Sequence, residues 1–349
     1  MKSIKSKIPR NIERFKEIKV LLICLMILSF NSNVLLSQEI NFGTVLMYHK
    51  FGESSFPSTS IQIDTFRNHL SFLKEKKFNV LPLSELVDFL ENSKNLPEKA
   101  VFITIDDGYR SFYNNAFPLL KEFNFPFTIF ISTDNVSSDK SSSFMSWDML
   151  SEIKDHKGVI HNHTSDHSNL NKLSNNEIIY KIKKANESIQ KNLNFNSDIF
   201  SYPYGESNLE NEKIVKSLGF RIAFSQHSSH IYRGENIMRL PRFSFNEEFG
   251  KLDRFKMILE SKALAVYDVI PKDTIINSSF IGMGFSTNHK LNSINCFHSN
   301  SVKLETFRIP PNRLEIRFLE PIKKGRNRIN CTSRNNKNEL LWFGKLLIN

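Results

Sequence analysis

The chain has 349 residues, of which 40% are hydrophobic and 24% are charged, and its net charge is +11. This length and apolar content are enough for a full core, in one large domain or two of ordinary size, and they exclude disorder as the default interpretation. Residues 1–19 carry +5 and residues 265–349 carry +7, which leaves −1 for the middle of the chain. Since the basic charge belongs to the two ends, we expect no nucleic-acid partner.

The N-terminus has the pattern of an export signal. The basic stretch 1–19 precedes the uncharged apolar run 20–30, as the first two regions of a signal peptide do. This run of eleven residues is too short to span a bilayer alone, so a cleaved signal over 1–37 is favoured and an uncleaved membrane anchor is the alternative. We therefore expect an exported protein that is periplasmic, extracellular or anchored facing outward.

Residues 43–225 alternate short apolar runs with segments of helical periodicity. This pattern predicts β/α units around a largely parallel sheet. Strands are predicted at 45–48, 101–105, 127–131, 159–160 and 221–224. Helices are predicted to begin at the N-caps Asp64, Ser84, Ser146 and Ser174, and a further helix over 209–218 to end before Gly219.

Beyond about Ala265 the composition changes. Prolines separate segments with period-two alternation, such as 313–318, and this pattern predicts a small antiparallel β module over 265–349. Its basic charge favours contact with an acidic glycan or an anionic membrane surface, and a solvated face is the alternative. Cys296 and Cys331 indicate one disulfide in an oxidising compartment, with two buried free thiols as the alternative.

Three short segments carry residues suited to catalysis: 104–109 (TIDDGY), 163–167 (HTSDH) and 201–205 (SYPYG). Each alone is a weak signal, because Asp-Asp-Gly after a strand is usually a turn and paired histidines are as often structural as metal-binding. Their positions strengthen the signal. Asp106 and Asp107 end one predicted strand, His163 follows another, and parallel β/α folds build their sites at that end of the sheet.

Two imidazoles and one carboxylate make a three-ligand site for Zn²⁺ or a similar divalent ion, with Co²⁺ and Ni²⁺ as alternatives. His163 and His167 face the same way if their segment is helical. The second carboxylate would stay off the metal and accept a proton from water as a general base. The chemistry we expect is hydrolysis of an amide or an ester near neutral pH.

Taken together, the three segments resemble the polysaccharide deacetylase family, the carbohydrate esterases similar to chitooligosaccharide deacetylases. That family carries T-F-D-D-G, H-[ST]-x-x-H and R-P-P-Y-G-like motifs in this order on a distorted (β/α) barrel, and here Ile105 replaces the Phe of the first motif. The resemblance spans roughly residues 43–260. It implies an α/β fold with a barrel domain at 43–264, followed by the antiparallel β module.

The resemblance also implies roles for individual residues. Asp106 would be the general base, and Tyr204 would give a backbone N–H to the oxyanion, with Tyr202 and Pro203 beside it as substrate-contacting residues. The implied metal ligands are Asp107, His163 and His167.

Two departures from the family pattern lead to further candidates. Ser201 replaces the arginine of the third motif, which orients the base, and this variant resembles the branch of exported poly-N-acetylglucosamine deacetylases. No Leu-x-Leu-His segment follows the third motif to supply the general acid. In that branch a histidine near the start of the domain takes this position, and His49 fits, with a core or strand-end histidine as the alternative.

The missing arginine needs a substitute, because a carboxylate base beside a cation needs a partner that fixes its rotamer, and arginine does so bidentately. The next candidates are Arg239 and Arg242, within the stretch 238–243, which we predict to be a strand. Residues three apart in a strand point to opposite faces, so only one can face the site. A Pro-Arg at this point is shared within the branch, which favours Arg242, and a surface arginine is the alternative.

An N-acetylated glycan is the substrate that the resemblance implies, with poly-N-acetylglucosamine ahead of peptidoglycan and chitin oligomers. Two other functions compete: a non-catalytic glycan-binding protein on the same scaffold, and a structural envelope protein in which the basic module acts and the barrel supports it. The intact Asp106, Asp107, His163 and His167 favour the enzyme.

Overall fold

The fold is described from a computed structural model of the chain. It describes residues 40–349 except 93, 138, 140, 278, 291 and 292, so the predicted export segment at 1–37 lies outside the described residues. Asn41–Asn349 form one compact unit. In the part of the chain described, no helix combines the length and the apolar character that crossing a bilayer requires.

A curled parallel sheet makes up the larger part of this unit. The first eleven strands along the chain are β1 Phe42–Tyr48, β2 Lys50–Phe51, β3 Ser60–Ile61, β4 Asn79–Val80, β5 Ala100–Asp107, β6 Phe127–Ile131, β7 Gly158–Asn162, β8 Ile199–Ser201, β9 Ile222–Phe224, β10 Ile231–Tyr232 and β11 Phe243–Ser244. The main path of the sheet runs β10-β1-β5-β6-β7-β8-β9, with β4 also pairing with β5 and β11 with β1. Only β10 is antiparallel to its neighbour among these pairings.

Every residue of β5 and of β6 is buried, as expected for parallel strands covered on both faces. The predicted parallel β/α architecture of a distorted barrel is therefore confirmed. The helices that connect its strands are α1 Ile63–Glu75, α2 Leu83–Glu91, α3 Phe117–Phe123, α4 Trp147–Lys154, α5 Asn175–Leu193, α6 Leu209–Ser217 and α7 Leu252–Glu260.

The helix starts were predicted with mixed success. Ser146 and Ser174 are the N-caps of α4 and α5, and each side chain accepts a backbone N–H three residues on. The N-cap assignments of Asp64 and Ser84 are wrong. Asp64 lies in the first turn of α1, where the helix dipole stabilises its negative charge. Pro82 is the N-cap of α2, and its ring fixes φ at −71° just before the helix.

The segment 237–244 bridges the gap between β9 and β1. Leu240 pairs with Phe224 of β9, and β11 pairs in parallel with β1. The strand predicted over 238–243 is wrong, since the ladder begins only at Phe243; Pro241 has no N–H to extend it. Arg242 instead donates its backbone N–H to the His227 carbonyl oxygen at 2.9 Å.

The remaining strands are β12 Lys262–Ala263, β13 Tyr267–Ile270, β14 Gly282–Ser286, β15 Ile294–His298, β16 Leu304–Ile309, β17 Arg313–Phe318, β18 Arg326–Arg334 and β19 Leu340–Ile348. They form two four-stranded sheets, in the orders β12-β19-β18-β15 and β13-β14-β17-β16. All pairings are antiparallel except that of β12 with β19. The predicted antiparallel architecture is confirmed, whereas the domain boundary at 264/265 stays a prediction.

Cys296 of β15 and Cys331 of β18 lie opposite each other in register and form a disulfide. Cys331 is buried in the core between the two C-terminal sheets. The structure thus has the pairing that the sequence favoured rather than two free thiols.

The C-terminal sheets pack directly on the barrel. Leu264 donates its backbone N–H to the Trp342 carbonyl oxygen at 3.0 Å, and the Trp342 ring meets the Phe243 ring edge-on, with centroids 5.5 Å apart. At Gly344 the two backbones come so close that a Cβ would collide with the Ser228 carbonyl oxygen. β19 therefore touches the same loops that surround Arg242.

Candidate active site

Two adjacent carboxylates lie where β5 ends, at the carboxyl edge of the parallel sheet. Asp106 is fully buried and Asp107 is 9% exposed. Asp107 and Gly108 have φ angles of 75° and 79°, so the extended backbone gives way to a left-handed turn at the second carboxylate. The two carboxylates then meet different partners.

Asp107 faces the two histidines of the second segment. Its Oδ1 lies 3.1 Å from His167 Nε2 and 3.4 Å from His163 Nε2, and the ligand atoms of the three residues all lie within 4.8 Å of one another. Burial raises the pKa of Asp107, but the two imidazoles outweigh burial and hold that pKa well below its ordinary value. The cluster therefore contains an ionised carboxylate.

The histidine segment is a loop, so the helical interpretation of 163–167 is wrong. Thr164 and His167 have φ angles of 68° and 59°. Asn162 Oδ1 accepts the Thr164 N–H at 2.7 Å, and Thr164 Oγ1 accepts the His167 N–H at 3.0 Å. Side-chain acceptors thus take the place of helical hydrogen bonds, and both imidazoles still reach Asp107.

The third segment orients the ring of His163. His163 Nδ1 lies 2.6 Å from the Ser201 carbonyl oxygen. Because a carbonyl oxygen only accepts, Nδ1 carries a proton and donates it, and in the neutral ring Nε2 then has the lone pair that a cation would bind. This is the tautomer that a metal-binding histidine requires.

Asp106 is held by Arg242. Arg242 Nη1 and Nη2 donate to the two carboxylate oxygens at 2.7 Å each, and neither side chain is exposed. Ser201 Oγ accepts from Arg242 at 2.9 Å and donates to Asp106 at 3.4 Å. Burial raises the pKa of Asp106, but Arg242, followed by His163 and His49, outweighs burial and lowers the pKa. Asp106 is thus an ionised carboxylate with a fixed rotamer.

Arg239 faces away from this pair. Its Nε donates to Glu212, and its Nη1 donates to the Lys272 carbonyl oxygen at 2.9 Å. The two arginines therefore point to different parts of the molecule, as we predicted, although the irregular backbone of 238–243 rather than strand alternation separates them.

His49 directly follows β1 and is partly buried. Burial lowers its pKa; Asp107 and Asp106 oppose that effect, and Arg242 and His163 add to it. His49 therefore lies within electrostatic reach of Asp106, Asp107, His163 and Arg242, and its role in the site stays a prediction.

The third segment forms a turn over Pro203–Gly205. Tyr204 has φ 62° and ψ 1°, a left-handed conformation that costs a residue with a Cβ about 1–2 kcal/mol. The Tyr204 ring meets the His167 ring edge-on, with centroids 4.6 Å apart, and is 41% exposed. Tyr204 therefore borders the histidine loop and faces solvent.

Tyr202 and Pro203 are buried, so the Tyr202 side chain does not face solvent, and a role of these two residues at the substrate stays a prediction. The Tyr202 ring packs edge-on against Phe200, with centroids 5.1 Å apart, in a core cluster beneath α5. Its backbone N–H donates to Phe224 of β9 at 3.0 Å. The large apolar ring thus extends the core beyond β8, and Pro203 contributes its rigid backbone to the turn.

Comparison with known proteins agrees with this arrangement. Residues 93–223 match the family model for polysaccharide deacetylase. The chain is also 25% identical over 225 residues to the poly-beta-1,6-N-acetyl-D-glucosamine N-deacetylase of Staphylococcus aureus (strain MSSA476), a match that covers 60% of this chain and 76% of that protein. The chain carries a polysaccharide deacetylase domain.

Two solved structures share the fold of this deacetylase. The Streptococcus pyogenes deacetylase PplD in complex with acetate matches with a TM-score of 0.59 and 22% identity, over 63% of this chain and 99% of that one. IcaB from Ammonifex degensii matches with a TM-score of 0.58 and 23% identity, over 64% of this chain and 99% of that one. The family match supports hydrolase activity of the deacetylase class, and the two solved structures show the fold alone.

The cluster in this deacetylase fits a divalent cation. Asp107 Oδ1 and His163 Nε2 are buried and lack a hydrogen-bond partner among the described residues. Unpartnered buried polar atoms are costly unless something binds them, and these two converge with His167 on one point. A set of two imidazoles and one carboxylate suits Zn²⁺ and similar ions.

Two residues beside the site escaped the sequence analysis. Burial, and next Asp107, raise the pKa of Tyr109, whose ring stacks on Phe144 with centroids 5.0 Å apart. Lys50, nearly buried, lies 4.1 Å from the centre of the Tyr109 ring and pairs with Glu53 at 2.8 Å. The sequence offered an indication for Tyr109, because this residue ends the first motif. For Lys50 the only indication was its position directly after His49.

Proposed function

We propose that this deacetylase hydrolyses N-acetyl groups from an exported amino-sugar polysaccharide, poly-β-1,6-N-acetylglucosamine in first place, and releases acetate with the help of a divalent metal, most simply Zn²⁺. The observation that carries the proposal is that two adjacent carboxylates have different partners. Arg242 holds Asp106 bidentately, while Asp107 belongs to a separate three-residue cluster. A base and a metal ligand need this separation, because a base must keep a free lone pair.

Asp106 is the proposed general base. It accepts a proton from the water that attacks the acetyl carbonyl, and a new C–O bond forms. Asp107, His163 and His167 would hold the cation, which would supply Lewis-acid chemistry by polarising a carbonyl and making water more acidic. The C–N bond then breaks, the amine leaves with a proton from His49, and the products are acetate and a free amino sugar.

His49 and Tyr204 complete the proposed mechanism. His49 follows β1 within electrostatic reach of Asp106 and Asp107, and its protonated ring would donate to the leaving amine. Tyr204 would donate its backbone N–H to the oxyanion, an interaction that acts mainly on the transition state. The turn conformation of Tyr204 beside His167 supports this role.

The substrate proposal depends on similarity and on export. The Staphylococcus aureus relative acts, by its name, on poly-β-1,6-N-acetylglucosamine, and we place this polymer ahead of peptidoglycan and chitin oligomers for the present chain. The signal-like pattern of residues 1–37 favours a protein that meets such a polymer outside the cytoplasm.

Acetate release from these three glycans, measured with chelated enzyme and after metal is restored, tests the proposal. We expect chelation to abolish activity and Zn²⁺, Co²⁺ or Ni²⁺ to restore it, because a His₂-carboxylate site accepts several borderline ions. Acetate release at the full rate from metal-free protein would contradict the mechanism, and release from peptidoglycan alone would contradict the substrate.

A further inference from the structure

We propose that Arg326 and Arg328, in the C-terminal sheet, are positioning residues for the turn that carries Tyr204. The inference rests on the proposed function, because that turn would present the N–H of Tyr204 to the oxyanion. Both arginines belong to β18, and residues two apart in a strand point to the same face. This face meets the loops that follow β8 and β9.

Arg326 contacts the turn directly. Its Nη1 donates to the Tyr204 carbonyl oxygen at 3.2 Å, and its Nε lies 3.8 Å from Glu206 Oε1. The other carboxylate oxygen of Glu206 accepts from Asn169 Nδ2 at 2.7 Å, two residues beyond His167. One arginine of the C-terminal sheet is thereby connected both to the turn and to the loop that carries a candidate metal ligand.

Arg328 supports the other side of the turn. Its Nε donates to the Gln226 carbonyl oxygen at 3.1 Å. Gln226 packs so closely on Gly205 that a Cβ there would collide with it, and Ser225 Oγ donates to the Gly205 carbonyl oxygen at 2.6 Å. The Ser225 carbonyl oxygen also accepts from Arg242 Nε at 3.2 Å. The segment that Arg328 holds therefore touches both the turn and the arginine beside the base.

The turn needs external support because its own backbone is unfavourable. Tyr204 and Gly205 both have positive φ, and a left-handed conformation at a residue with a Cβ persists where its surroundings impose it. Arg326 holds the Tyr204 carbonyl group in this conformation. Without that contact the turn relaxes and its N–H leaves the position where the oxyanion forms, while the metal cluster on other loops stays intact. Such a loss lowers kcat more than it changes KM.

The test compares Arg326→Ala and Arg326→Lys with the parent and with Arg334→Ala. Arg334 is a matched control, an exposed arginine at the far end of β18 that donates to the Asn338 carbonyl oxygen at 2.7 Å. All four full-length proteins, loaded with the same metal, are assayed for kcat and KM on the glycan that the parent deacetylates. Metal content, Tm and amide hydrogen exchange over residues 199–208 are measured beside them.

We expect Arg326→Ala to lower kcat by about tenfold, less than the loss of a direct oxyanion donor, with KM and metal content at parental values and faster exchange over 203–206. Arg326→Lys should recover part of the rate, because an ammonium group can donate to the same carbonyl oxygen. Arg334→Ala should match the parent in every measurement.

Parental kcat and exchange in Arg326→Ala would overturn the proposal, and so would an equal fall in Arg334→Ala, which indicates a general weakening of the sheet. If Arg326→Ala does not fold, Arg328→Lys takes its place, since its shorter reach toward Gln226 carries the same expectation for exchange. A parent that releases no acetate from any glycan would refute the proposed function alone, because the exchange comparison still tests the contact.

Discussion

The contact between Asp106 and Arg242 removes two full charges from water. Such a pair recovers its desolvation cost, several kcal/mol per ion, only with good geometry and further hydrogen bonds. Both conditions hold here, because Arg242 also donates to Thr104 Oγ1 at 3.3 Å, to Ser201 Oγ at 2.9 Å and to the Ser225 carbonyl oxygen at 3.2 Å. What the pair contributes is one defined position for the proposed base.

Asp106→Asn should lower kcat by about 10²–10⁴-fold, the range for loss of a general base, and leave metal bound, because Asp106 is not in the three-residue cluster. Asp107→Ala and His163→Ala should lose metal and activity together. Metal analysis of the purified variants distinguishes the two classes. Loss of metal in Asp106→Asn with retention in Asp107→Ala would reverse the two roles.

Arg242→Lys is the sharper test of the arginine. Arg242→Ala would leave Asp106 buried without a partner, a change that costs about 3–5 kcal/mol and confuses folding with catalysis. Lysine keeps the charge and loses the bidentate geometry, so we expect a fall in kcat of at least about tenfold with metal retained.

Arg239→Lys is the matched control for that substitution, since Arg239 is also buried and paired, but with Glu212. Its kcat should stay close to the parental value. Equal kcat in the two variants would remove Arg242 from the site.

The candidate site residues could be predicted from the sequence where the chemistry requires a particular residue type in a particular order. Asp106, Asp107, His163 and His167 stand in motifs, and Arg242 could be inferred because a base needs a partner. Tyr109 ends the first motif but received no role, and Lys50 could not be inferred, because its placement depends on how the loops after β1 and β5 meet in space.

Among the elements, the turn after β8 is the most sensitive to small changes. Gly205→Ala should destabilise the protein by several kcal/mol, because the new methyl group meets Gln226 and the φ of 68° is unfavourable for alanine. Gly219→Ala is the control: Gly219 has φ 91° and follows α6 where we predicted, and a Cβ there would have nothing within 4 Å. We expect about 1 kcal/mol for it.

Urea unfolding of both glycine variants gives the comparison. Their difference isolates the packing of the turn on Gln226, because both substitutions share the backbone penalty. Equal losses of unfolding free energy would mean that the turn yields to the methyl group, and would weaken the case for a rigid turn.

The elements that periodicity and capping define were predicted, and those that tertiary contacts define were not. Ser174 caps α5 because its hydroxyl and Glu177 satisfy backbone groups locally. The loop at 163–167 has helical spacing but follows side-chain acceptors instead, and 238–243 has apolar alternation but contains Pro241. In both segments individual side chains, two hydrogen-bond acceptors in the first and the proline ring in the second, override the spacing of the pattern.

At the scale of the whole molecule, the C-terminal sheets pack directly on the barrel. Trp342 on Phe243 and Gly344 against Ser228 place β19 beside the loops of the site. Truncation near Ala265 would expose these surfaces, so loss of activity in a truncated chain would not by itself show what the C-terminal sheets do. Point substitutions are the suitable experiment.

Lys345, on β19, is buried, and burial, with Arg239 second, lowers its pKa to about 7. An unfolded lysine has a pKa near 10.4, so from about pH 7 to pH 10.4 the unfolded chain binds the extra proton and stability rises with pH. Below about pH 7 the folded state bears the full cost of a buried cation. Lys345→Met should therefore stabilise the protein most at pH 6 and least near pH 10.

Urea unfolding at these two pH values, with the exposed Lys324→Met as control, measures the effect. The control should show no difference between the two pH values. A gain from Lys345→Met that is the same at pH 6 and pH 10 would mean that Lys345 stays charged throughout.

The position of β18 and β19, after every other described element, also bears on what a shortened chain would keep. The three candidate metal ligands lie between residues 107 and 167, well before β18 in the chain. The contacts of Arg326 and Arg328 with the turn form only after the last strands arrive. A chain clipped before β18 would therefore keep the three candidate ligands and lose the two arginine contacts that hold the turn.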